Sequence, residues 1–222
     1  MITNISHLPH DWAFFRAIDY HETTPWAILF VVLSPLNEAF VWDELNPSPE
    51  KNTTAIIAEQ VMLKSKDYNF QMNLIDPLAV KCQPNTGTSV VIDLNSIFRV
   101  YRNEGRCSGG VWEAWDTKAT VGRDRVRERL MNAAICKEPF RNEVVKNGVH
   151  VRLPTLWLFK HCVQTAKSLQ LWRLENDKPA QAHSHFCTAL EALMKDVRFR
   201  PKLTMQYSAQ RKSPYANYFN GR

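Results

Sequence analysis

The stretch FFRAIDYHETTPWAILFVVLSPLNEAFVWDEL, residues 14–45, decides the architecture. It holds three apolar or alternating runs, 15–20, 26–34 and 39–45, separated by HETTP and PLNE. Such runs, bounded by Pro, Thr and Asn, are strand signals, and the short gaps between them make an antiparallel meander. Behind the capping candidates Asn52, Thr53 and Thr54, apolar residues Ile56, Ile57, Ala58, Val61 and Met62 recur at helical spacing, so 52–66 is expected as a helix. The short apolar run 71–75, closed by Asp76-Pro77, is then a fourth strand. A helical crossover makes it parallel to the first.

Further on, the periodicity predicts a helix over 89–101, a glycine-containing loop over 104–118 that faces the site, a charged helix over 122–134, a strand over 149–159 broken at Pro154, and helices over 162–174 and 182–197. This order is that of an α/β, ribonuclease H-like mixed β-sheet, an antiparallel three-strand meander plus parallel strands, flanked by helices. A chain of 222 residues, 45% hydrophobic, is long enough for one full core. The expected division is an N-terminal arm or linker over 1–13, one domain over 14–200 and a basic, flexible tail over 201–222.

Composition narrows the function classes. The longest apolar candidate, 27–33, is flanked by Pro25 and Pro35 and is far shorter than the roughly 18 residues that span a bilayer. No secretory signal opens the sequence, so a cytoplasmic protein without membrane contact is expected. Five scattered cysteines (Cys82, Cys107, Cys136, Cys162, Cys187) with no CxxC pair argue against a disulfide framework or a zinc site. A net charge of +6 favours a polyanionic partner, because Lys and Arg gain affinity by releasing counterions from phosphates.

Two acidic residues end strands. Asp19 closes the run 14–18 and Asp76 closes the run 72–75, which places both at C-terminal strand edges, where open α/β sheets hold ligands. If those strands are neighbours and parallel, the carboxylates converge into an oxygen-rich cradle for Mg2+ or Mn2+. The alternative is that both are ordinary turn residues. His21, two positions past Asp19, falls on the same side of an extended strand, as an outer member of such a site, a phosphate contact or a surface residue.

Several segments in order resemble the nuclease domain of phage terminase large subunits: AIDYH (17–21), TPWAILFVVLSP (24–35), AFVWDEL (39–45), NFQMNLIDPLA (69–79), WDTKATVGRDRVRERL (115–130), LPTLWLF (153–159) and QAHSHFCTALEALMKD (181–196). The resemblance implies a metal-dependent endonuclease, with a two-metal site for Mg2+ or Mn2+, that cuts concatemeric double-stranded DNA during genome packaging. It implies as partners the DNA, the phage portal protein and the small terminase subunit, and as location the host cytoplasm, transiently at the procapsid portal. No GxxxxGK[ST] occurs, so the packaging ATPase is expected upstream in a longer protein. The rivals are another ribonuclease H-like nuclease, such as a Holliday-junction resolvase or a transposase core, and a catalytically weakened DNA-binding domain of the same fold.

The chain departs from the family at the start of its last helix, where 183–188 read HSHFCT with no carboxylate. With Asp19 and Asp76 as catalytic metal ligands, Glu191 is taken as the third catalytic carboxylate and His185 as a further ligand. The plainer account pairs Glu191 with Lys195 at i+4. Lys118, Arg123 and Arg127 are the candidate DNA contacts. Against them, the plainer account makes Lys118 an exposed lysine and spreads the arginines at 123, 125, 127 and 129 around their helix as a solvated face. Trp112 and Trp115 are the tryptophans considered for base stacking.

Overall fold

The structure, a computed structural model, describes residues 8–51, 53–83, 87–108, 110–117, 121–135, 138–140, 144–146, 148–172, 174–175, 178–179 and 184–197. The opening stretch forms β1 (Ala13–Asp19), β2 (Ala27–Leu33) and β3 (Ala39–Leu45), followed by α1 (Thr54–Ser65) and β4 (Phe70–Ile75). Then come α2 (Val90–Asn103), β5 (Trp112–Ala114), α3 (Val121–Leu130), the hairpin β6 (Val144–Lys146) and β7 (Val149–Val151), β8 (Leu156–Leu158), α4 (Val163–Leu171) and α5 (His185–Asp196). Six strands make one mixed sheet in the order β5-β4-β1-β2-β3-β8. In it β2 alone runs antiparallel to its neighbours, so the other five strands end at the same edge. Among the described residues, no helix is long and apolar enough to cross a membrane.

Every residue of β1 and β2 is buried, because helices cover both faces of the sheet. That is why these strands read as continuous apolar runs and not as alternation. The pleat still divides them. Phe14, Ile18, Ile28 and Phe30 join Ile57 and Val61 of α1 and Leu94 and Phe98 of α2 in one core. Phe15, Ala17, Leu29 and Val31 join Val126 of α3 and Phe186, Leu190 and Leu193 of α5 in the other. Asp19, two residues beyond Ala17, falls on the α5 side. Leu8 and Trp12 are buried in the first core, so the segment expected as an arm over 1–13 is anchored at its C-terminal end. The tail expected over 201–222 lies outside the described residues.

Arg16 shares the face of Phe14 and Ile18 and is fully buried. Its guanidinium donates from Nε to Asn73 Oδ1 at 2.7 Å and from Nη1 to Ser65 Oγ at 2.6 Å. It also lies 4.4 Å from the centroid of Phe70 and 4.8 Å from those of Phe98 and Trp112. Among the described residues no carboxylate pairs with it, and three aromatic faces hold the cation instead by cation–π attraction. Burial brings its pKa down to about 9, which leaves it charged at neutral pH.

The segment expected as a site-facing loop over 104–118 contains a sixth sheet strand. β5 pairs Trp112 with Asn73 in parallel, and Asn95 of α2 clamps it: the backbone N–H of Trp112 donates to Asn95 Oδ1 at 2.8 Å, and Asn95 Nδ2 donates to the Trp112 carbonyl at 3.0 Å. Trp112 and Trp115 are therefore core residues, 1% and 9% exposed, and not available to stack on bases. A three-residue strand with one buried side chain leaves no periodic signal.

On β3, the Glu44 carboxylate accepts from the backbone N–H groups of Gln164 and Thr165 at 2.7 and 2.8 Å and from Thr165 Oγ1 at 2.6 Å. A negative charge on the free donors of a helix start satisfies them and complements the dipole of α4. Glu44→Ala is expected to cost about 1–2 kcal/mol of unfolding free energy, measured by urea titration. A loss below a few tenths would show that the cap is idle.

Candidate metal centre

The register of the parallel pair builds the centre. Ile18 stands opposite Ile75, and the Asp76 N–H donates to the Ile18 carbonyl at 2.9 Å, so Asp19 and Asp76 leave the sheet together at its shared C-terminal edge. Asp76 then turns into a short 3-10 segment, Pro77–Val80, and its Oδ1 accepts from the Leu78 N–H at 2.7 Å. The two expected carboxylates thus converge. Burial raises the pKa of Asp76 to about 6, and the neighbouring Asp19 carboxylate adds to the rise.

α5 crosses behind β1 and β2 with its first residue, His185, directed at this edge. His185 Nδ1 lies 2.9 Å from Asp19 Oδ2. From the loop after β1, His21 Nε2 stands 3.5 Å from the same oxygen, and the two imidazole rings meet edge to face at 4.1 Å between centroids. Burial opposes ionisation of Asp19, yet hydrogen bonds from His185 and His21 outweigh it and hold its pKa below the usual carboxylate range. The same contact with Asp19 raises the pKa of His21. Asp19, His21 and His185 each offer one ligand atom, all within 4.8 Å of one another. This donor set could hold a divalent ion, with Asp19 supplying charge and oxygen and the two imidazoles nitrogen that Mn2+ accepts, while Asp76 stands beside Asp19 as a further carboxylate outside that group.

Glu191 goes elsewhere. It sits two turns along α5, where its Oε1 accepts from Arg123 Nε of α3 at 3.4 Å; burial raises its pKa, and Arg123 partly offsets this. The i+4 pair with Lys195, the alternative to a metal ligand, does not form either: Lys195 Nζ donates to Asp116 Oδ2 at 2.8 Å. The helix phase explains this: α5 buries Leu190 and Leu193 against the sheet, which turns Glu191 toward α3 and leaves His185 at the strand edge. The residue beside Asp19 is thus the histidine and not the glutamate.

Of the candidate DNA contacts, Lys118 lies outside the described residues. Arg123 is committed to Glu191, its side chain 19% exposed, and its guanidinium lies 6.0 Å from the ring of Trp172. Arg127 is exposed, 3.8 Å from Asp124 and 5.7 Å from the Trp172 ring. Arg129, read as part of a solvated face, is instead buried. It donates from Nη1 to the Asn37 carbonyl at 2.7 Å and from Nη2 to Asn37 Oδ1 at 3.2 Å, holding the β2–β3 turn. His21 carried a faint signal in the sequence, its two-residue spacing from Asp19; its meeting with His185 depends on how α5 crosses the sheet and has no local signature.

No family model matches the chain, and no curated protein matches it in sequence. Solved structures do match in fold. The nuclease domain of the phage P22 large terminase superposes with a TM-score of 0.56 at 12% identity, covering 84% of this chain and 82% of that domain. The large terminase of a thermophilic bacteriophage, solved with ADP, superposes with a TM-score of 0.53 at 14% identity over 86% of this chain. This chain spans 40% of that protein's length. With its mixed six-stranded sheet flanked by helices, the chain has the ribonuclease H-like fold of phage large-terminase nuclease domains.

Proposed function

We propose that the chain is the nuclease domain of a tailed-phage large terminase, a divalent-metal-dependent endodeoxyribonuclease that cuts concatemeric double-stranded DNA during packaging, in the host cytoplasm at the procapsid portal. The observation that carries this reading is the convergence of Asp19 and Asp76 on adjacent parallel strands, with His185 on the Asp19 carboxylate. Mg2+ or Mn2+, bound there as a pair, would activate a water and neutralise charge on the scissile phosphate.

The protein's own groups set up that chemistry. The buried Asp19 carboxylate is held ionised by His185 and His21 and so offers a fixed anionic oxygen at the floor of the site. Asp76 supplies the second carboxylate, its position fixed by the turn that begins with Leu78. The start of α5 brings its partial positive charge to the same edge, where an incoming phosphodiester is favoured. Arg127 and the overall charge of +6 supply attraction to the DNA backbone without base reading, so binding is expected to weaken steeply with salt and to show little sequence preference. The portal, the small terminase subunit and an upstream ATPase complete the proposed assembly.

Nicking and linearisation of supercoiled plasmid by the purified chain tests the reading. It is expected in Mg2+ or Mn2+ and absent in a chelator. A chain that binds the plasmid but never cuts it in either ion is a binding domain, and preference for a four-way junction over linear duplex favours the resolvase. His185→Ala is expected to lower the cleavage rate by about 10–100-fold, the usual scale for loss of a group that supports a metal ligand. Glu191→Ala, which removes a contact to Arg123, should keep the rate within a few-fold. The reverse ranking would return Glu191 to the third position.

A further inference from the structure

We infer that His21 makes this centre one for a transition-metal ion of the Mn2+, Co2+ or Zn2+ type and sets it against Mg2+. The inference rests on the metal-site reading above and adds the class of ion that the site selects. Asp19 Oδ2 lies 2.9 Å from His185 Nδ1 and 3.5 Å from His21 Nε2. Ligands bonded at about 2.1 Å stand roughly 3.0 Å apart along an octahedral edge and roughly 3.4 Å apart along a tetrahedral one. The two separations from Asp19 fall close to such edges, and the three ligand atoms all lie within 4.8 Å of one another, so shifts on the order of 1 Å would let a single ion take the place of the hydrogen bonds and reach all three groups.

The placement of the groups adds to this. The Asp19 side chain is 3% exposed and forms the floor, while those of His21 and His185 are 31% and 30% exposed and form the rim. An ion arriving from solvent therefore meets two imidazoles before it reaches the carboxylate. Mg2+ demands oxygen ligands in near-octahedral array and gives up its waters reluctantly, so a rim of two nitrogens holds it poorly. Ions later in the first transition row take imidazole nitrogen well, with affinity rising from Mn2+ through Co2+. Without His21 the remaining donors are Asp19, Asp76 and His185, an oxygen-dominated set with weaker discrimination. A surface histidine that merely pairs with an acid would leave the choice of ion untouched.

The test is metal binding to the DNA-free, metal-free protein, by calorimetry with Mn2+, Co2+ and Mg2+ and by the visible absorption of bound Co2+, whose bands report its nitrogen ligands. Co2+ and Mn2+ are expected to bind at least tenfold more tightly than Mg2+. His21→Ala should weaken Co2+ and Mn2+ by tenfold or more, change the Co2+ spectrum and leave Mg2+ within about twofold. His21→Asp, which trades nitrogen for oxygen, should narrow the preference from the other side by tightening Mg2+. A thermal melt of each variant confirms folding; His21 sits in a half-exposed loop, and its replacement removes no core contact. Wild-type affinity for Mg2+ equal to that for Mn2+, or unchanged Co2+ affinity and spectrum in His21→Ala, overturns the inference. Tight Co2+ binding without plasmid nicking in any ion would overturn the nuclease reading and leave the selectivity standing.

Discussion

Asp19→Asn is expected to lower divalent-dependent plasmid cleavage by about 10³-fold, the rate equivalent of removing roughly 4 kcal/mol of stabilisation by a metal ion from the transition state. The substitution keeps shape and removes charge. Asp19 is 2% exposed at the end of a strand whose other residues are wholly buried, so an isosteric amide leaves the sheet in place. In the metal-free protein two effects oppose each other: the amide relieves the neighbouring Asp76 carboxylate but gives up the charge that His185 and His21 stabilise, so the melting temperature should change by only a few degrees. Asp76 is pushed up to about 6, mainly by burial and in lesser part by the Asp19 carboxylate. A carboxylate whose folded pKa stands above its unfolded value of about 4 destabilises the fold when ionised; the cost is absent below pH 4 and complete above pH 6. The Asp76 carboxylate should thus cost the metal-free wild type stability as pH rises from 4 to 6, and Asp19→Asn should reduce that fall only in part, since burial of Asp76 remains. Asp76→Asn should abolish cleavage similarly. Nicking by Asp19→Asn above a tenth of the wild-type rate, in protein shown to be folded, would remove Asp19 from the site.

The parts of this fold legible in the sequence are those whose signal is local. β1 and β2 are buried on both faces and read as unbroken apolar runs; α1 and α2 show helical spacing behind Thr53 and Ser89, whose side chains accept the Ile56 and Ile92 N–H groups. From that much, the parallel pairing of β4 with β1 follows by crossover, and with it the approach of Asp76 to Asp19. What stayed hidden depends on the angle and phase at which elements meet. Trp112 looks like a loop aromatic until Asn95 is seen to hold its backbone at the sheet edge. Arg129 looks like one of four surface arginines until the β2–β3 turn closes over it, with Asn37 at a φ of 62° and its carbonyl aimed at the guanidinium. Glu191 has the right chemistry for a metal ligand, but the phase of α5 sets His185 beside Asp19 and turns the acid toward Arg123 of α3.

Gly122→Ala is expected to destabilise the protein by about 3 kcal/mol, the upper end of the cost of overpacking, and to depress cleavage as well. Gly122 is buried in the first turn of α3, against the middle of α5. A methyl group there would lie 2.2 Å from the Glu191 carbonyl oxygen, 2.8 Å from its carbon and 3.2 Å from its Cα. All three atoms are backbone, so no side chain can swing aside. Either helix must retreat, on the order of 1 Å, in an interior packed as densely as an organic crystal. Leu190, Leu193 and Met194 of α5 and Val126 of α3, all buried in the same core, resist that movement. Alanine's better helix propensity, worth about 1 kcal/mol over glycine, opposes the loss without cancelling it. For a chain of this size the net cost should lower the melting temperature by about 6–12 °C. The functional loss follows from the helix itself. His185 is the first residue of α5, and its Nδ1 contact with Asp19 at 2.9 Å is fixed by where that helix lies. A shift of about 1 Å at a reacting centre costs on the order of 10²-fold in rate, so Gly122→Ala should cut slowly even well below its melting temperature. Wild-type melting in Gly122→Ala would show that the helices separate freely and that α5 does not fix His185 rigidly; lowered melting with an undiminished rate would show that His185 tolerates the displacement.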